Sequence, residues 1–388
     1  MNFNHPDKGG STIVVKTMCA FVFIAFSILW LYTFQSDVLA VAQHVLSEGH
    51  TRYDRLVGAL LITAVLYMLQ LLAYYFTRLR KMFHALTYLP SMLVLALISD
   101  INSDIDRHFS LGAWWWVVPV VLLFWVALVI VARQIQTYER GAGNFFSRRM
   151  WVNMLVMATM IVCVAAVGNT NAVFHFRAHA EVKLRDGLYK EALAVGNRSQ
   201  ESDASLMMLR IYALSRSGRL GEHLFNYPIV GGSDAMLPFG NPSRTVLFPA
   251  DSIFRYLGAI PKGQMTTRSY LSLLENKGKA SPAVGDYMLA ACLIDGDLDT
   301  FVRLLPKYYE LDGNLPRHYR EALTLYTHQR ATPAVTWHDN VMEEDYADLQ
   351  KLEATCPDAT ERKVRVAEKY EGSYWYYFEY VKAMKFKE

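Results

Sequence analysis

The residues whose type and spacing come nearest to a chemical site are His175 and His179, at i and i+4, with Glu181 close behind. On a helix that spacing sets two imidazoles on one face, which is how many metal sites begin. Zinc takes three or four ligands, however, and no second ligand pair accompanies these two. A helix surface is therefore the expected role of both histidines, and no metal is expected. Asp100, Asp104, Asp106 and His108, together with His175, are the groups that could line a polar cavity at a membrane boundary. His338, Asp339, Glu343, Glu344 and Asp345 form an acidic run of the kind that is usually a solvated face. The chain contains no Gly-x-Ser-x-Gly elbow, His-Glu-x-x-His, phosphate-binding loop or dinucleotide fingerprint. No catalytic residue and no cofactor is assigned. Of the four cysteines, Cys19 and Cys163 lie in apolar runs, and Cys292 and Cys356 lack metal-ligand spacing. The latter two either pair in an oxidising compartment or are small buried hydrophobes, as the apolar stretch 287–294 around Cys292 favours.

Positioning these groups falls to two halves of different composition. The chain has 388 residues, 53% of them apolar, and the excess lies before Asn169. The remainder reads as a charged, Tyr-rich globular domain. A net charge of +3 leaves no electrostatic footprint for nucleic acid. A helix rises about 1.5 Å per residue, so roughly 20 apolar residues cross the hydrocarbon core. The runs 13–34, 57–77, 113–132 and 151–168 meet that length, and 83–99, which contains Pro90, meets it narrowly. The expected architecture is all-α: a five-helix transmembrane bundle in 1–170, solvated by the lipid bilayer, then a soluble domain in 171–388. Lys16 lies near the end of its run, where its side chain can snorkel to the interface.

Lys and Arg accumulate on cytoplasmic connections. Lys8, Lys16, Arg78, Arg80, Lys81, Arg133, Arg140, Arg148 and Arg149 fall on one set of connections, and Arg52, Arg55 and Arg107 on the other. The alternation puts the N-terminus in the cytoplasm and residues after Gly168 outside, with Trp114, Trp115 and Trp116 in the outer aromatic belt. Two alternatives bear on this layout. Ala40-Val41-Ala42 has the form of a signal-peptide cleavage site, but removing the first span leaves the soluble domain where it was. A re-entrant 83–99 moves that domain to the cytoplasm, at the cost of stranding the 133–149 cations outside. Within the spans, Gln70 and Asn153 are the polar candidates, and single amides of this kind usually join helices.

Beyond Asn171 the apolar period is helical. Segments 179–186 and 189–195, 205–215 and 220–225, and 286–294 and 298–309 form pairs split by Gly187, Gly218 and Gly296, each suited to a helix C-terminus. Residues 256–276 fill the interval between the second pair and the third. Leu315, Tyr319, Leu323 and Tyr326 share one helical face. Gly187 and Gly218 are 31 positions apart, near the tetratricopeptide period of about 34. Such hairpins stack into a solenoid with a concave face.

The segment from Arg210 through Ile211, Tyr212, Ser215, Arg216 and Gly218 to Leu220, with His223, Leu224 and Phe225, resembles part of an uncharacterised family of bacterial membrane proteins. So does Leu315-Pro316-Arg317-His318-Tyr319-Arg320-Glu321-Ala322-Leu323 with Tyr326. The resemblance implies several N-terminal spans in the bacterial inner membrane and an extracytoplasmic, tetratricopeptide-like C-terminal domain. It implies no activity. These units lack the large aromatic that opens the tetratricopeptide consensus.

Residues 227–252 interrupt the helical pattern with Pro228, Pro238, Pro242 and Pro249 and with Gly231, Gly232 and Gly240. Proline lacks the donor a helix interior needs, so a long connection is expected, of a length that is often functional. Phe239, Asn241, Arg244 and Phe248 are its candidate partner-binding residues; the competing role for the two phenylalanines is to pin the loop to neighbouring helices. At the C-terminus, Tyr374, Trp375, Tyr376, Tyr377, Phe378 and Tyr380, followed by Lys382, Lys385 and Lys387, suit either a membrane interface or a helix capping the last repeat. The leading reading is a non-enzymatic membrane-anchored scaffold that binds a protein or peptide. The alternative is a cell-envelope enzyme or transporter with a site at the outer boundary, between the membrane helices and the soluble domain.

Overall fold

The computed structural model describes residues 10–102, 105, 107, 110–138, 148–311 and 314–382. Every regular element among them is helical. The chain divides into two compact units, Met1–Asn171 and Ala172–Glu388.

In the first unit five helices are long and apolar enough to cross a membrane: Ile13–Phe34, Arg55–Thr77, Met82–Ser99, Trp114–Ile135 and Arg148–Val167. The first is α1 (Gly10–Leu29) extended by a π turn, and α2 (Ser36–Leu46) follows it. The second is α3 (Arg55–Thr77), and the third is a 3-10 stretch, Lys81–Tyr88, running into α4 (Leu89–Ser99). The last two are α5 (Trp114–Tyr138) and α6 (Arg148–Val167). Along α3 the buried stripe is Ala59, Thr63, Leu66, Gln70, Ala73 and Thr77, while Leu61, Val65, Met68, Leu72 and Phe76 face outward. The smaller and more polar residues point inward, which is the pattern of helices packed in lipid, where close approach and hydrogen bonds rather than apolar burial join them.

The narrow third span is the hub of this unit. Over half of it (56%) is buried, against 11% of the fourth. Bonds reach it from four helices. Gln70 Nε2 donates to Thr87 Oγ1 at 3.0 Å, and Trp30 Nε1 to Ser99 Oγ at 2.9 Å. The Ala85 amide donates to Asn153 Oδ1 at 2.7 Å, and Trp125 Nε1 to the Leu86 carbonyl at 2.8 Å. Gln70 and Asn153 thus act as joints between helices. Pro90 sits in the first turn of α4, where a missing donor costs nothing. Lys16 Nζ donates to Tyr74 Oη at 2.6 Å and lies 4.2 Å from the centre of that ring. Arg133 caps α3, its Nε donating to the Thr77 carbonyl at 2.8 Å. Trp114, of the expected outer belt, donates to Asp100 at 2.8 Å.

The second unit is built from helical pairs: α7 (Ala172–Arg185) with α8 (Tyr189–Ala194), and α9 (Ala204–Arg216) with α10 (Leu220–His223). After the interruption come α11 (Ala250–Leu257) and α12 (Thr267–Asn276). Then follow α13 (Ala283–Asp295) with α14 (Leu298–Tyr308), α15 (Arg317–Gln329), and α16 (Asn340–Thr355) with α17 (Ala359–Tyr370). A last turn, α18 (Tyr374–Tyr376), continues as a π segment to Lys382. Helices α9 and α13 are buried on nearly every side, as expected of apolar helices at the centre of a layered fold. Gly187, Gly218 and Gly296 all have positive φ. At Gly218 the pair of bonds from its own amide to Ser215 (3.0 Å) and from Arg219 to Leu214 (2.9 Å) closes the helix end.

Three open expectations resolve here. Cys292 and Cys356 are both buried and both free, so the disulfide is not made. The terminal aromatics do not form a membrane-facing surface: Tyr374, Trp375 and Tyr377 belong to the core. The interruption is shorter than 227–252, because α11 starts at Ala250 with Pro249 just ahead of it, and the 3-10 turn Ser233–Met236 divides it.

Candidate functional site

The segment 227–249 is held by side chains that reach it from the helices. Glu181 lies on the inward stripe of α7 with Phe174, Arg177, Ala178 and Leu184. One of its oxygens, Oε2, accepts the amides of Val246 and Phe248, each at 2.8 Å, and that of Leu247. A carboxylate is the strongest acceptor for such consecutive N–H groups. Its own burial pushes the carboxyl up to about 7, against the pull of those amides and of Arg177. Ser205 Oγ accepts the Arg244 amide at 3.0 Å, and Ser243 Oγ donates to the Leu237 carbonyl at 2.7 Å.

Of the four residues singled out by sequence, two point inward. The Phe239 ring packs 5.3 Å from Phe254 and 5.9 Å from Tyr270, and Phe248 packs 5.4 Å from Tyr212. Both anchor the loop. Arg244 is half-buried, and Asn241 is exposed between the exposed Gly240 and Pro242.

Tyr212 links this loop to a group that sequence reading passed over. The Arg216 guanidinium carbon lies over the rings of Tyr189 at 4.8 Å and Tyr256 at 4.9 Å, with Tyr212 at 5.9 Å. Tyr212 stands at 80° to Tyr189 and 88° to Tyr256. The i, i+4 spacing of Tyr212 and Arg216 was a readable signal, whereas Tyr189 and Tyr256 come from other helices.

The remaining buried charges are committed to structure. In α15, His318 Nδ1 meets Glu321 Oε2 at 2.9 Å, and the same oxygen accepts the Tyr374 amide at 2.7 Å. Arg317 Nε donates to Glu321 Oε1 at 2.7 Å, and Trp375 Nε1 donates to the Glu321 carbonyl at 2.7 Å. This cluster is why the segment 315–323 carries so many polar residues on a buried helix. Arg210 is buried, its Nη2 donating to the Gly196 carbonyl at 3.1 Å and its guanidinium 5.0 Å from the Tyr227 ring. Arg268 pairs with Asp297 at 2.8 Å and Asp295 at 3.1 Å. His175 and His179 are half-buried on α7, and among the described residues no group of three metal-ligating side chains occurs. Asp104, Asp106 and His108 lie outside the described residues, as do Lys8, Arg140, Lys385 and Lys387.

Residues 262–381 match the model of a family described as being of unknown function, DUF6057. The match takes in the helices from α12 onward, including 315–323, and leaves 210–220 outside it. No curated protein and no solved structure matches the chain.

Proposed function

We propose that this is a membrane-anchored interaction protein. Five spans hold it in a bacterial inner membrane with the N-terminus in the cytoplasm. The helical unit, a tetratricopeptide-like stack, stands outside and binds a protein or peptide partner. Charge alternation across the spans supports the orientation. The observation that carries the binding role is the loop 227–249, whose backbone is tied down by Glu181, Ser205 and Ser243 while Gly240, Asn241 and Pro242 stay exposed. A loop ordered before binding loses little entropy on contact, and loops set on a rigid scaffold are common binding surfaces. A photocrosslinking residue at Asn241, compared with one at the exposed Glu344, should trap a defined partner in intact cells. Reproducible failure at Asn241 removes this reading. Reporter fusions after Asn171 and after Arg80 test the orientation: a reporter that works only outside the cytoplasm should be active at the first site and silent at the second.

A further inference from the structure

Arg216 is the last residue of α9 and is exposed, yet its guanidinium is clamped. Tyr189 and Tyr256 each cover it at just under 5 Å, and Tyr212 stands behind them, nearly perpendicular to both. The Tyr212 hydroxyl takes one guanidinium N–H in a side-chain hydrogen bond, and the in-plane N–H groups beyond that bond are the part left for a ligand. Among the described residues no carboxylate lies within ion-pair distance of it. Tyr287 of α13, a neighbour of Tyr212 and Tyr256, is fully buried, and among the described residues its hydroxyl has no hydrogen-bond partner.

We propose that Arg216 and its three tyrosines form a receptor for one oxyanion, a carboxylate or a phosphate, taken edge-on by the guanidinium. A guanidinium is weakly hydrated, stacks on aromatic faces, and matches the two oxygens of such an anion with parallel N–H donors. The tyrosines have already removed most of the rotamer freedom that an exposed arginine loses on binding. This inference depends neither on the membrane orientation nor on the loop's partner.

The test is calorimetric titration of the full chain, held in nanodiscs of neutral lipid, with inorganic phosphate and with acetate. The expected result is saturable one-to-one binding in the millimolar range. Arg216→Gln should weaken it at least tenfold, as about 1.4 kcal/mol per decade requires of a lost charged hydrogen bond. Arg216→Lys, which keeps the charge without the fork, should fall between the two. Tyr189→Leu should weaken binding several-fold while leaving the charge in place, and this serves as the independent variant if Arg216→Gln does not fold. Repeating the titration with phosphatidylglycerol in the disc separates the sources: a lipid head-group ligand suppresses the heat of free phosphate, and a soluble anion does not. Unchanged binding in folded Arg216→Gln, or no binding by the wild-type chain at tens of millimolar, overturns the proposal.

Discussion

Glu181 and Glu321 are both closed off from water, and their surroundings drive them in opposite directions. For Glu181 burial dominates, and the carboxyl rises from 4.5 to about 7 despite the amides it accepts. A folded value above the unfolded one means that folding takes up a proton. Its contribution to stability is therefore full below about pH 4.5 and lost as pH rises through about 7. Glu181→Gln keeps an acceptor and abolishes the titration, so the pH dependence of unfolding should flatten in that window. Glu181→Ala strands three amides, and should cost about 1–3 kcal/mol and speed hydrogen exchange at 246–248. For Glu321, burial also pushes upward, but the His318 hydrogen bond, Arg317 and the Tyr374 amide prevail and hold the carboxyl low. Its contribution is present above the usual carboxylate range and lost as pH falls through the lowered value. Glu321→Ala should cost about 3–5 kcal/mol in denaturant unfolding, because it leaves His318 and the Tyr374 amide buried without their acceptor.

At the scale of elements, glycines with different constraints separate two kinds of cost. Gly218 has φ +66°, and a methyl group added to its Cα would meet nothing within 4 Å, so Gly218→Ala should lose only about 1 kcal/mol of backbone preference. Gly221 in α10 would place a Cβ 2.7 Å from Pro316 Cβ and 2.9 Å from Tyr319 Cζ. Gly221→Ala should cost about 1–3 kcal/mol, since α10 and α15 must move apart. In the first unit, Asn153→Leu removes the acceptor of the Ala85 amide, and a loss of about 1–2 kcal/mol in unfolding free energy, read from denaturation in detergent, is expected. That bond also explains a feature of the sequence. The stretch 83–99 looks marginal as a span because it is barely long enough and carries Pro90; its Thr87, Pro90 and Ser91 are buried among the other helices. Hydropathy registers polarity but not which neighbour receives it. The glycine stops at 187, 218 and 296 were readable for the opposite reason: the left-handed turn that ends a helix is a local demand, met by the residue itself.

On the scale of the whole molecule, the hydrophobic core that includes α9 and α13 draws its buried residues from Ala180 to Tyr377. A chain beginning at Ala172 should therefore be helical and unfold cooperatively without detergent; a broad, non-cooperative transition in circular dichroism would show that the first unit is required. The sequence by itself determined the five apolar stretches, the all-helical class and the pairing of short helices around glycine, because length, apolar content and helix ends are set by residues near one another in the chain. The histidines at 175 and 179 and the loop aromatics at 239 and 248 were visible too, but not their fate. Only the tertiary structure decided that Phe239 and Phe248 face inward, that Glu181 holds 246–248 from α7, and that Arg216 lies between tyrosines 189 and 256. Each of these joins residues 15 or more positions apart, and burial, which settles whether a polar group is site or scaffold, belongs to the packed chain rather than to any stretch of it.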